Sequence, residues 1–244
     1  MKIKSVKIQL SLFLGLFALY FYFIEKNPGF LIALSVALFF SVATDTIINY
    51  IKNKRFIITD SSLVTGLIVG YVISSDQALW IIALASTLGI LSKHIVRFRK
   101  SHIFNPAALG IFLVVLFFGA YTQWKAAYAW PVMILLGIYF ATRVKRLETI
   151  ASYFIAALFL HIPQIFLHNA SLLNMLGYFN YFFIFIMMIE PRTTPKARLG
   201  RVMFGLGAAT FIFAFYEYGA LLEPELFSLL ILNFLGVFLE RRKQ

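Results

Sequence analysis

Cysteine is absent from the 244 residues. That excludes disulfides, cysteine-ligated iron–sulfur clusters and thiol catalysis. Charge is scarce: Asp, Glu, Lys and Arg make up 13% of the chain, where a soluble domain carries about a quarter. Acidic residues are scarcer still, 10 against 22 basic ones, for a net charge of +12. No phosphate-binding loop and no nucleophile elbow occurs, and Gly205-Leu206-Gly207 lacks the third glycine of a dinucleotide fingerprint. The four histidines, His94, His102, His161 and His168, include no pair four residues apart and no acidic zinc partner. No metal site and no catalytic residue of the chain's own is expected.

What remains is apolar: 61% hydrophobic residues, with a mean hydropathy of +0.86. Charge this sparse cannot keep such a surface in water, so the chain is read as an integral membrane protein. The length leaves no room for a soluble domain between spans. A spanning helix needs about 20 apolar residues. About ten runs qualify, at 8–24, 30–51, 57–73, 78–96, 103–118, 126–142, 149–167, 171–189, 200–216 and 220–239. The third, fifth and ninth are short, which suggests tilted or re-entrant segments whose non-helical lead-ins are buried in protein. The first run is too long for a signal-peptide core, and no small-residue cleavage site follows it.

The basic residues orient these runs. Twenty of the 22 Lys and Arg lie at the two termini or in the even-numbered connections, and the odd-numbered ones hold only Lys26 and Lys125. By the positive-inside rule both termini and the basic loops are cytoplasmic. Short loops tied to helix ends suit anionic lipid headgroups and not nucleic acid. Ten spans make two sets of five, and an odd number per set inverts the second set. The expected architecture is all-α, a single transmembrane domain over 1–244 with halves 1–120 and 121–244.

Three stretches differ from plain lipid-facing helix. Thr59-Asp60-Ser61-Ser62-Leu63-Val64-Thr65-Gly66 places an acid and several hydroxyls at a helix start. An N-cap by Asp or Ser accounts for one of them, and Gly66 with Gly70 allows close helix packing. His102-Ile103-Phe104-Asn105-Pro106-Ala107-Ala108 reads as a capped helix start. It serves either tight packing or a helix N-terminus aimed at a buried anion or polar ligand. In Glu190-Pro191-Arg192-Thr193-Thr194-Pro195 two prolines forbid regular helix. A structured turn lining a cavity and a simple cytoplasmic loop are both open.

In this order, Ser62-Leu63-Val64-Thr65-Gly66-Leu67, Phe104-Asn105-Pro106-Ala107-Ala108 and Glu190-Pro191-Arg192-Thr193-Thr194-Pro195 resemble the NqrB/RnfD family. These are membrane subunits of sodium-pumping quinone reductases and Rnf electron-transport complexes. The resemblance covers roughly residues 40 to 240, with Glu190 where the family has Asp. It implies two inverted five-helix repeats, similar to urea channels, in the inner membrane with partner electron-transport subunits. It also implies flavin or quinone bound in the helix bundle. The residues it points to are Ser62, Thr65, Gly66, Asn105, Pro106, Ala107, Arg192, Thr193 and Thr194. The Ser-Gly-Ala-Thr signature that takes FMN covalently is missing, and Thr122 stands without it in Gly119-Ala120-Tyr121-Thr122-Gln123-Trp124. The flavin expected is therefore noncovalent FMN or riboflavin.

Asp45, Asp60 and Glu190 are candidates for an ion or proton site. A carboxylate within a span costs about 2.5–3.5 kcal/mol or more at mid-membrane. Asp45 is either such a site or an interfacial residue paired with Lys52, Lys54 or Arg55. The alternative function is a transporter or channel for a small polar solute or flavin, in which inward-facing helix N-termini bind the solute.

Overall fold

The computed structural model describes residues 5–99, 101–168, 176–177, 179–219 and 223–241. Among these the chain is mostly helical, and its one sheet is a small two-stranded hairpin. By contact it divides into two units, Met1–Lys125 and Ala126–Gln244.

The first unit holds α1 (Val6–Glu25), α2 (Pro28–Asn53), α3 (Asp60–Val72), α4 (Leu79–Ile95) and α5 (Pro106–Phe118). A two-residue hairpin, β1 (Arg97–Phe98) and β2 (Ser101–His102), joins α4 to α5 and pairs Arg97 with His102. Lysines in the left-handed conformation end α1 and α2, Lys26 at φ 50° and Lys54 at φ 54°. Each turns its amide back on a carbonyl of the last turn, Tyr22 and Tyr50, and a cation there opposes the negative end of the helix dipole. Asn27 and Pro28 then start α2, the Asn27 side chain accepting from the Gly29 amide.

At 13 residues each, α3 and α5 are only about 20 Å long, short of a hydrocarbon core of about 30 Å. Extended backbone completes their reach. Ile73 bridges Thr122, Ser74 N donates to Tyr121 O (2.9 Å), and Gln123 N donates to Val72 O (2.7 Å). The expectation of short third and fifth segments holds. The ninth does not: the helix there, Arg198–Glu217, has 20 residues, because Arg198 and Leu199 extend it below the apolar run.

In this unit α2 packs on α3 and α4, α4 on α5, and α1 on α3. Small residues permit it, as expected where lipid is as apolar as the side chains. A Cβ on Gly66 would lie 2.7 Å from Leu38 Cα, and one on Gly110 would lie 2.2 Å from Ala85 O. Tyr71 is wholly buried among Phe17, Phe21 and Phe30, its hydroxyl donating to Leu14 O at 2.7 Å. Lys125 lies over the Phe21 and Phe30 rings and pairs with Glu25.

The second unit contains a 3₁₀ turn entering from Lys125–Ala129, α6 (Trp130–Val144), α7 (Leu147–His168), a π-turn at Phe183–Met187, α8 (Arg198–Glu217) and α9 (Pro224–Arg241). Of the expected eighth span, 171–175 and 178 lie outside the described residues. α7 packs on α8, α8 on α9, and α6 on the π-turn. A Cβ on Gly205 would lie 2.2 Å from Thr149 O. With the π-turn as third element, both units pair first with third, second with fourth, and fourth with fifth.

Val6–Glu25, Pro28–Asn53, Lys125–Val144 and Arg198–Glu217 are long and apolar enough to cross a membrane. Asp60–Val72, Leu79–Ile95, Pro106–Phe118, Leu147–Pro163 and Pro224–Val237 are shorter apolar stretches. Large side chains such as Leu16, Phe23, Phe117, Leu135 and Phe159 are exposed along them, as a lipid-facing surface requires.

Candidate functional site

Asp45 sits on α2 with 0% of its surface exposed. Both oxygens are used. Oδ1 meets Lys93 Nζ and His94 Nε2, each at 2.9 Å. Oδ2 accepts from Thr59 Oγ1 at 2.6 Å and from Asn49 Nδ2 at 3.3 Å. The partners come from three elements: α2 itself, the residue before α3, and the last turn of α4. A buried ion pair holds only if its remaining hydrogen-bonding capacity is met, and here it is.

This corrects the expected pairing of Asp45 with Lys52, Lys54 or Arg55. Those residues follow Asp45 by seven to ten positions and continue past the helix end. The α4 terminus, packed on α2, delivers Lys93 and His94 instead. Lys52 joins indirectly, its Nζ 3.5 Å from His94 Nδ1. An ammonium only donates, so Nδ1 accepts and the Nε2 hydrogen points to Asp45. The result is a chain from exposed Lys52 through His94 to the buried carboxylate.

Thr59 is the cap of α3, its Oγ1 accepting from Ser62 N at 3.2 Å. The expected Asp or Ser cap is thus Thr59, because the helix begins one residue earlier than the acid suggests. Asp60 lies apart from this cluster and accepts from Ser5 Oγ at 2.6 Å. Ser62 Oγ donates to Thr59 O at 2.8 Å, and Ser41 Oγ donates to Ser62 O at 2.7 Å. Gly66 faces α2. Thr65 turns the other way: its methyl lies 3.6 Å from where a Cβ on Gly89 would be, and Pro106 O lies 2.6 Å from the same point. The first two sequence stretches therefore meet at Gly89.

Asn105, buried, caps α5 by accepting from Ala108 N at 3.1 Å, while Leu109 N donates to Asn105 O. Pro106 has no N–H. Among the described hydrogen bonds this leaves the amide of Ala107, itself buried, as the first-turn donor available to a ligand. A phosphate needs several such donors; a single ring carbonyl needs one.

The third stretch, in the C-terminal unit, is a structured turn. Thr194 Oγ1 donates to Glu190 O at 2.6 Å, and Thr193 and Thr194 amides donate to the same carbonyl. Thr193 Oγ1 lies 3.5 Å from Glu190 Oε2, Asn233 Nδ2 donates to Thr193 O at 3.3 Å, and Arg146 Nη2 donates to Pro191 O at 3.3 Å. Thr193 and Thr194 are buried, while Arg192 is exposed. The π-turn just before it is a form enriched at functional sites.

That Asn49, Thr59, Lys93 and His94 surround Asp45 was not anticipated. Their sequence signal is a Lys-His pair ending α4 and a hydroxyl preceding α3. Among the described residues no group of three or more His, Asp or Glu could hold a metal ion.

No curated protein gives a significant match to the chain. The family model described as the NQR2, RnfD, RnfE family matches residues 1–129, more than half of the chain and the whole of the Asp45 cluster, and the protein belongs to that membrane family.

Proposed function

We propose that the chain is the membrane subunit of a flavin-linked, ion-translocating electron-transport complex. Family membership carries this reading, and two of the stretches that resemble the family meet in the N-terminal unit, where Thr65 and Pro106 both approach Gly89. The residues that would hold the flavin in the N-terminal unit are Ser62, Thr65, Gly66, Asn105, Pro106 and Ala107; Arg192, Thr193 and Thr194 are the corresponding candidates within the C-terminal unit. Flavin supplies the redox chemistry that the polypeptide lacks. The single Ala107 amide suits a carbonyl of the flavin ring or of a quinone better than a phosphate, which favours noncovalent riboflavin over FMN. Asp45, with His94 and Lys52, is the ion or proton station, and Asp60 and Glu190 are secondary acids.

The subunit lies in the inner membrane with both termini cytoplasmic and works with partner subunits that carry donor and acceptor. The repeated pairing order within each unit supports two five-element repeats. The test is an absorption spectrum between about 350 and 500 nm of the protein purified with its partners, followed by acid precipitation. Near-stoichiometric flavin released into the supernatant is expected. A colourless complex overturns the flavin reading.

A second reading, passage of a small polar solute, draws on the half-length helices α3 and α5 with their capped N-termini. Solute uptake by proteoliposomes of the chain alone would favour it.

A further inference from the structure

A cavity of about 300 Å³ lies within the C-terminal unit, near the lower limit for small-molecule sites. α8 contributes its last turns and α9 its first, so the cavity lies toward the ends of these helices remote from Arg198 and Arg201. Five rings line it: Tyr153, Phe179, Phe213, Tyr216 and the imidazole of His161. His161 Nδ1 donates to Ala157 O at 2.8 Å, and its ring meets Phe179 and Phe213 edge-on. The sixth group is the Glu225 carboxylate, 8% exposed. Tyr216 OH donates to its Oε1 at 2.8 Å. Tyr216 itself is 61% exposed and so stands at the mouth.

Among the described residues no Lys, Arg or His forms an ion pair with Glu225. A countercharge stabilises a buried carboxylate in a membrane protein, and aromatic faces attract cations. A bare metal ion would want several oxygens close together, and the cavity is many times too large for one. We propose that this cavity binds a small organic ammonium ion, its charge held by Glu225 and the surrounding rings. The site is independent of the α3–α5 junction, and its test does not depend on flavin.

Ammonium groups occur on free amines and on lipid headgroups, and the experiment separates them. Binding of radiolabelled choline is measured to the full chain in phosphatidylglycerol nanodiscs, with 3,3-dimethylbutan-1-ol as the neutral isostere. Saturable choline binding that the isostere does not displace is expected. Glu225→Gln should weaken it by more than about tenfold. Repeating the assay in phosphatidylethanolamine nanodiscs assigns the source: lost binding means a lipid headgroup fills the site, and unchanged binding means a free solute. No saturable binding to the wild-type chain, or equal displacement by the isostere, overturns the proposal. Should Glu225→Gln fail to fold, the isostere comparison on the wild-type chain decides alone; unchanged binding by a folded Glu225→Gln chain also overturns it.

Discussion

Replacing Asp45 by Asn would leave Lys93 and His94 facing a neutral amide where α2, α3 and α4 meet. Removing one partner of a buried pair costs about 3–5 kcal/mol, so Asp45→Asn should lower the detergent melting temperature markedly. The double change Asp45→Asn with Lys93→Met removes both charges and should recover most of the loss. A single variant as stable as the parent would show that the pair does not hold these helices. Glycines offer a second residue-scale comparison. Gly110→Ala places a methyl 2.2 Å from the Ala85 carbonyl oxygen, whereas at Gly15 nothing lies within 4 Å. The first should cost about 1–3 kcal/mol or more, and Gly15→Ala should be neutral or slightly stabilising. Thermal unfolding of the two side by side checks this.

At the scale of elements, the short helices depend on their caps. Asn105→Ala removes the acceptor of Ala108 N and should cost about 1 kcal/mol, while Asn105→Asp keeps it. If flavin docks at this helix start, Asn105→Ala should also lower flavin content in the purified complex, read from absorbance per chain. Retained flavin with reduced stability would confine Asn105 to capping. The Asn105 cap is legible because it is local, reaching three residues forward to Ala108; the α3 cap was expected on Asp or Ser and is Thr59, one residue before the acid. The half-length of α3 and α5 is legible too, since their apolar runs are short. The full length of α8 was not, because Arg198 and Leu199 continue the helix outside the apolar run, and helical hydrogen bonding does not stop where hydropathy does.

For the whole molecule, the alternation of basic loops predicts a sidedness that the absence of cysteine makes easy to test. Single substitutions Lys54→Cys and Ser75→Cys can be probed with a membrane-impermeant maleimide on cells and on inverted vesicles. Ser75→Cys should react from outside and Lys54→Cys only in inverted vesicles. Labelling of both from one side would overturn the topology.

Membrane residence, the position of most of the apolar helices and the Asn105 cap follow from the sequence by itself. Backbone groups in lipid must be satisfied within a segment, and a cap bonds its own first turn, so both are written in neighbouring residues. The partners of Asp45, the meeting of Thr65, Gly89 and Pro106, and the ring-lined cavity around Glu225 were decided by tertiary structure alone. Each joins residues from separate helices, and which faces meet depends on how far each helix is rotated about its axis and slid along its neighbour. Apolar faces turned to lipid and to protein look alike in this chain, so hydropathy carries no record of that rotation.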